Sequence, residues 1–122
     1  MRGGNRQTIG LWGEQRAADH LQEKGYAILA RRFRVREGEI DLVASGFGYL
    51  CFVEVKLRKD TSMGEAREYV TQSKQRKLRT AALRYMMQYP TSLQPRFDVV
   101  EVYAPQGTKT EHPIIRHWEN AF

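Results

Sequence analysis

The chain has a single cysteine, Cys51, among its 122 residues. One thiol cannot form an internal disulfide, which excludes a disulfide-stabilised extracellular scaffold. Cys51 lies in an apolar segment that is typical of a strand, so we expect a buried and inert thiol. The cysteine content therefore predicts a protein of the reducing cytoplasm.

The sequence also lacks long apolar runs. None approaches the roughly 20 residues that a membrane-spanning helix needs, and no secretory apolar segment follows Met1. Neither repeats nor a linker interrupts the chain. We therefore expect no membrane partner, a glycine-rich and basic N-terminus at residues 1–8 without fixed structure, and one domain at residues 9–122.

Zinc ligands are missing as well. Cys51 stands alone, and the three histidines, His20, His112 and His117, are scattered along the chain. Structural zinc sites need four clustered cysteine or histidine ligands. We therefore exclude a zinc site and expect these histidines on the surface.

Acidic residues are fewer than basic residues. Twenty Lys and Arg residues against 14 Asp and Glu residues give a formal net charge of +6. Such a balance suits a polyanionic partner such as nucleic acid. Aromatic residues are not interleaved with the basic ones, which disfavours a single-strand reader with a stacking platform of the RRM or OB type.

Hydrophobic periodicity predicts the order α, β, β, β, α, β, β. This order suggests an α/β or α+β sheet flanked by helices. The first helix covers residues 10–24 and ends before Gly25, and the second follows the N-cap Thr71 and extends to Tyr89. Strands are predicted within residues 26–35, as a hairpin over residues 39–57, and at residues 96–103 and 113–118, with a loop at residues 59–68.

The hairpin carries charged residues where core residues are expected. If its loop spans residues 46–49, Asp41 lies opposite Glu54 and Glu39 lies opposite Lys56. Two facing carboxylates repel each other unless a cation lies between them. Either a divalent metal ion or a salt-bridged cluster with Lys56 and an arginine would offset the repulsion between the two carboxylates. Both interpretations stay open.

Two further charged side chains fall on apolar helix faces. Glu14 lies at the centre of the apolar stripe of the first helix, where its carboxylate either turns outward to solvent or needs a partner or a metal. Lys74 lies at the edge of the stripe of the second helix. Carboxylates of this kind suit Mg²⁺ or Mn²⁺, and such an ion with a nearby lysine is suited to phosphodiester hydrolysis.

Basic residues adjoin the hairpin. Arg32, Arg34 and Arg36 alternate along the preceding strand, and Arg58 follows the hairpin. These arginines are either phosphate contacts beside the metal or a solvated charged face.

Five motifs in order resemble one bacterial family. They are Gly10-x-x-Gly13-Glu14-x-x-Ala17-Ala18, Gly38-Glu39-Ile40-Asp41-Leu42-Val43, Phe52-Val53-Glu54-Val55-Lys56, Val70-Thr71-x-x-Lys74-Gln75 and Arg96-Phe97-Asp98-Val99-Val100. The chain resembles the YraN-like family, which is placed in the PD-(D/E)XK nuclease superfamily near archaeal Holliday-junction resolvases.

This resemblance implies a restriction-endonuclease-like fold, with a central mixed β-sheet flanked by helices. It further implies that Asp41, Glu54 and Glu14 are metal ligands for Mg²⁺ or Mn²⁺ and that Lys56 is the catalytic lysine. Lys74 matches a lysine of the following helix and is expected to contact nucleic acid. The sequence departs from the usual motifs at Ile40, where the superfamily often has proline, and at Leu57, where the family usually has a small hydroxyl residue.

Three functions remain open at this point. The chain is a metal-dependent nuclease acting on nucleic acid, with DNA, branched or unbranched, the expected substrate, or a nucleic-acid-binding accessory protein of the same fold, or an interaction domain with a salt-bridged cluster. Resolvases that make two symmetric cuts work as dimers, so a homodimer is a further expectation. Leu83, Trp118 and Phe122 are either its exposed apolar contacts or packed side chains.

Overall fold

The computed structural model describes residues 6–59 and 70–122. Two helices and five strands make up the described chain. In chain order they are α1 (Arg6–Glu23), β1 (Ala27–Val35), β2 (Gly38–Gly46), β3 (Tyr49–Arg58), α2 (Gln72–Gln88), β4 (Gln94–Tyr103) and β5 (Ile114–Trp118), with a short 3-10 helix at Gly107–Lys109 before β5.

The five strands form one mixed sheet in the order β1-β2-β3-β4-β5. Neighbouring strands are antiparallel except β3 and β4, which run parallel. A parallel pair needs a crossover connection, and α2 lies in it. The predicted α+β architecture, a mixed sheet flanked by helices, is thereby confirmed.

Each helix covers one face of the sheet. On one face, Ala17, Ala18 and Leu21 of α1 pack with strand residues such as Leu42 and Val53. The opposite face packs against Leu78, Ala81, Ala82 and Tyr85 of α2, and its strand residues include Val43 and Phe52. The core therefore has two layers, with the sheet between them.

Close helix packing on β3 depends on Gly13. A Cβ atom at Gly13 would approach Leu57 Cδ2 to 2.8 Å, which is closer than real contacts allow. Leu57, the departure from the family pattern, thus occupies the space beside Gly13. The absence of a side chain at residue 13 lets α1 place Glu14 near the sheet.

The helix ends agree with their sequence signals. Thr71 caps α2, because its Oγ1 accepts a hydrogen bond from the Lys74 backbone N–H at 3.1 Å. Gly25 follows α1 with φ of 106°, the left-handed conformation expected at C′. The start of α1 was predicted too late, since the helix begins at Arg6 and includes residues 6–8, which we expected to lack structure.

Most of the predicted 59–68 loop and residues 1–5 lie outside the described residues.

The three apolar side chains considered as dimer contacts differ in exposure. Trp118 and Phe122 pack against the α2 side of the core, whereas Leu83 is 60% exposed. Of the three apolar dimer candidates, Leu83 is therefore the exposed one. Neither helix of the described chain has the length and apolar character to cross a membrane.

Candidate metal and phosphodiester site

Asp41 and Glu54 meet at the end of the β2–β3 ladder away from the hairpin turn. That ladder runs from Gly46 opposite Tyr49 to Leu42 opposite Val53. Continuing the same register by one residue places Asp41 opposite Glu54, as the loop length predicted. Glu39, expected opposite Lys56, lies beyond this ladder and instead accepts a hydrogen bond from Arg34 Nε at 2.7 Å.

Both β2 at Asp41 and the neighbouring strand β1 depart from regular strand geometry. Ile40 packs on the α2 side of the sheet and Leu42 on the α1 side, although residues two apart in a regular strand share a face. Across from Asp41, Arg32 of β1 has a positive φ of 50°. Such a backbone conformation costs on the order of 1–3 kcal/mol for a residue other than glycine, and strain of this kind is typical of functional sites.

The Asp41 carboxyl group has lost most of its hydration. Its Oδ2 accepts a hydrogen bond from the Val55 N–H at 2.8 Å, and its side chain is also hydrogen-bonded to Glu54. Burial, followed by the contact with Glu54 and the negative charge of Glu54, raises the pKa of Asp41 to about 8, against the lowering effect of the Val55 N–H. The raised pKa means that, without a cation, Asp41 holds a proton at neutral pH.

Two lysines also lie beside Glu54, which is only 4% exposed. Lys74 Nζ lies 3.2 Å from Glu54 Oε2, and Lys56 Nζ lies 3.9 Å from the same oxygen. Lys74 comes from the first turn of α2, which Thr71 caps. Part of the predicted salt-bridged cluster is thus present, with Lys74 in the role that we had expected an arginine to fill.

Glu14 is paired with an arginine rather than extended into solvent. Its carboxylate accepts hydrogen bonds from Arg32 Nε at 2.8 Å and Arg32 Nη2 at 3.4 Å. Its charge also contributes to the raised pKa of Asp41. Among residues 6–59 and 70–122, however, no three His, Cys, Asp or Glu side chains are grouped so as to hold a metal ion.

The remaining predicted arginines differ in accessibility. Arg34 and Arg36 are exposed, and Arg34 is bound to Glu39. Arg58 is largely buried, with its Nε 3.5 Å from Glu101 Oε2. Arg34 and Arg36 are therefore accessible at the surface, although Arg34 pairs with Glu39, whereas Arg32 and Arg58 are less exposed and paired with carboxylates.

The donor set fits a hard divalent cation. Mg²⁺ is typically held by one or two carboxylates together with water and substrate oxygens, and Asp41 and Glu54 supply two carboxylates in contact. A divalent cation would replace the Asp41 proton and balance the negative charge of the two buried carboxylates. The pair can hold such an ion, and Glu14 stays a predicted third ligand.

One polar network was not anticipated from the sequence. Asp98 is fully buried and accepts hydrogen bonds from Arg96 Nε at 2.9 Å and Arg96 Nη2 at 2.8 Å. His117 Nε2 lies 2.7 Å from the same carboxylate, and the His117 side chain is 1% exposed. The expectation that His117 is a surface residue was wrong. The buried position of Asp98 in β4 was the one signal that could have indicated a partner for it.

Comparison with known proteins gives one family. Residues 13–102 match the model of a family described as "Uncharacterised protein family UPF0102". The matched range contains Glu14, Asp41, Glu54, Lys56 and Lys74.

Similar proteins from several bacteria cover nearly the same length. A UPF0102 protein of Syntrophomonas wolfei is 42% identical over 115 residues, which is 93% of this chain and 96% of the relative. One from Lachnoclostridium phytofermentans is 47% identical over 98 residues, covering 79% and 83% of the two chains. One from Symbiobacterium thermophilum is 48% identical over 95 residues, covering 77% and 80%.

Proposed function

We propose that this chain, which belongs to the UPF0102 family, hydrolyses phosphodiester bonds in nucleic acid with the aid of Mg²⁺ or Mn²⁺. The observation that carries the proposal is the contact between the desolvated Asp41 and Glu54 carboxyl groups, with Lys56 and Lys74 beside them. Membership of the family is in keeping with the PD-(D/E)XK resemblance of its motifs. DNA is the nucleic acid that this resemblance favours.

The bound metal ion would supply Lewis-acid polarisation of the phosphoryl group and activation of water. Asp41 and Glu54 would hold it, with Glu14 as the predicted third ligand. The Val55 N–H fixes the Asp41 carboxylate in the strand, so this ligand is oriented before substrate arrives. Arg32 similarly orients Glu14.

The two lysines have a separate task. Both side chains are partly exposed, so their ammonium groups reach from Glu54 towards solvent, where a phosphate would lie. Once a cation balances Glu54, their charge can stabilise negative charge on the phosphate. Lys56 is the residue we expect to contact the reacting phosphate or orient the attacking water.

The experiment measures cleavage of linear, flapped and branched DNA, and of RNA, in Mn²⁺ or Mg²⁺. We expect the wild type to cut and Glu54→Gln and Lys56→Met each to lower the rate by about 100-fold or more. Asp19→Asn is the control, since Asp19 is a half-exposed carboxylate paired with Arg16 elsewhere on α1. Equal cleavage by all four proteins would identify a contaminant and refute the site.

A binding protein without turnover is the second candidate. It is favoured by the ion pairs that already engage Glu14 and Glu54 among the described residues. Wild-type protein that binds DNA but never cuts it with either metal would support this alternative.

We also propose a cytoplasmic location. For paired cuts we propose a homodimer, and sedimentation of the wild type would test this oligomeric state.

A further inference from the structure

A second cluster of aromatic and charged side chains lies at the turn of the β2–β3 hairpin. It encloses a cavity of about 280 Å³, which we call the tip pocket. Its lining residues are Lys24, Tyr26, Phe47, Tyr49, Arg96 and Glu119. The volume is close to the lower limit of about 300 Å³ for small-ligand pockets, so one planar ring suits it better than a folded partner.

Phe47 occupies an unfavourable position in the turn. Phe47 and Gly48 both have positive φ, of 57° and 86°, as in the type I′ turn that asparagine, aspartate or glycine normally forms. The Phe47 side chain is nevertheless 69% exposed. A bulky residue here strains the backbone and leaves most of its ring in water, so its contribution to folding is small.

The rings around the pocket are held in fixed positions. Tyr26 meets Phe47 edge to face, with ring centroids 5.1 Å apart. Gly46 permits this arrangement, because a Cβ atom there would lie 2.7 Å from the Tyr26 ring. One face of Tyr49 is covered by the guanidinium of Arg96 at 4.5 Å, and Asp98 anchors that guanidinium.

Charged groups at the rim match the parts of a nucleotide. Lys24 Nζ is 2.7 Å from His117 Nδ1 and can donate to it, which keeps the lysine charge at the rim, where a phosphate would be attracted. Glu119 is exposed beside the aromatic rings and can accept a hydrogen bond from a base amino group. An apolar peptide would instead cover these charged groups without adding hydrogen-bond partners for them.

The tip pocket and the carboxylate pair lie along the same helix and strand. Glu14 lies in α1, and Lys24 directly follows the last residue of α1, ten positions on, which is about 15 Å at 1.5 Å per residue. Five residues of β2 separate Asp41 from Gly46, which is about 17 Å. At about 3.4 Å per stacked nucleotide, both paths correspond to roughly five nucleotides.

We infer that the tip pocket receives an unpaired nucleobase, which stacks on Phe47, from a strand that runs past Lys24 to the Asp41–Glu54 pair. This inference rests on the proposed action on nucleic acid and specifies its substrate as a strand with unpaired bases about five nucleotides from the reacting phosphate. Fully paired duplex offers no free base face and would bind more weakly.

The test uses DNA carrying 2-aminopurine, a fluorescent base, at an unpaired position, and a fully paired duplex for comparison. The binding measurements use the Glu54→Gln variant in EDTA, so that the DNA is not cleaved. We expect the unpaired probe to bind more tightly than the duplex and its fluorescence to be quenched on binding by the Phe47 ring.

Three variants in that background isolate the ring and the charge, and a fourth is their control. Phe47→Asn suits the turn but removes the ring, and we expect affinity for the unpaired probe to fall between about 5- and 140-fold. Phe47→Trp should preserve the affinity. Lys24→Gln should lower the slope of log affinity against log salt by about 1. Leu83→Asn, on a similarly exposed apolar residue of α2, should change neither signal.

The outcomes separate this inference from the proposed function. Equal affinity of Phe47→Asn and the parent protein for the unpaired probe, with quenching unchanged, would overturn the tip pocket alone. Cleavage by wild-type protein would still be measurable in that case. Failure of the protein to bind any nucleic acid would overturn both proposals.

Discussion

Replacing Asp41 by asparagine should change how the stability of the metal-free protein depends on pH. Asparagine has the shape of the protonated aspartic acid. Its oxygen can accept from the Val55 N–H, and its NH₂ group can donate to Glu54, so both contacts of the protonated Asp41 side chain are retained. The variant should therefore fold like the wild type at low pH and lack the ionisation.

The size of the effect follows from the raised pKa. Asp41 has a pKa of about 8 in the folded protein against an ordinary value of 3.8. Between these values the folded state holds a proton that the unfolded state releases, so wild-type stability falls as pH rises, by at most about 1.4 kcal/mol per pH unit. From pH 5 to pH 8 the ceiling is about 4 kcal/mol, and local relaxation will reduce it.

Chemical denaturation in EDTA at each pH from 5 to 9 measures this difference. We expect the free energy of unfolding of Asp41→Asn, minus that of the wild type, to rise by about 2–4 kcal/mol across the range, which corresponds to roughly 4 °C in Tm per kcal/mol. Asp19→Asn should show no such rise. Parallel curves for Asp41→Asn and wild type would refute the raised pKa of Asp41.

Substitutions at three further positions, two of them with a compensating or conservative variant, test a helix contact, a buried ion pair and a helix cap. Gly13→Ala should destabilise the protein by about 1–3 kcal/mol through its clash with Leu57, and Leu57→Thr should suppress that loss in a double-mutant cycle followed by denaturation. Asp98→Ala should cost about 3–5 kcal/mol in thermal unfolding, because it leaves Arg96 buried without its carboxylate; an effect below 1 kcal/mol would contradict that ion pair. Thr71→Ala should cost about 1 kcal/mol, measured by denaturation, and Thr71→Ser should restore most of it.

Local sequence signals predicted much of the fold. The register of the hairpin follows from its turn, because a tight connection fixes which residues face each other, and this placed Asp41 opposite Glu54. The capping of α2 by Thr71 and the end of α1 before Gly25 are equally local. Each depends on contacts between residues close in the chain.

Departures from regular geometry could not be predicted in the same way. Strand alternation assumes that every residue is extended, whereas Arg32 has a positive φ. In β2 the alternation of side chains between the two faces of the sheet is interrupted at Asp41. The partners of Glu14 and Glu54 come from other elements, since Arg32 lies on β1 and Lys74 on α2. Composition and spacing carry no information on such long-range pairs.

The tip pocket illustrates the same limit. Tyr26, Phe47 and Tyr49 are not interleaved with basic residues in the sequence, so they gave no sign of a stacking surface. Chain reversal at Gly25 and at the hairpin turn brings their rings together. Arg96 arrives from β4, far along the chain.

Isothermal titration calorimetry of Mn²⁺ at pH 7, in two buffers of different ionisation enthalpy, tests the metal site most directly. The raised pKa of Asp41 predicts that binding releases about one proton, and that Glu54→Gln abolishes binding while Asp19→Asn leaves it unchanged. Absence of binding by the wild type at millimolar Mn²⁺, or binding without proton release, would contradict the metal site at Asp41 and Glu54.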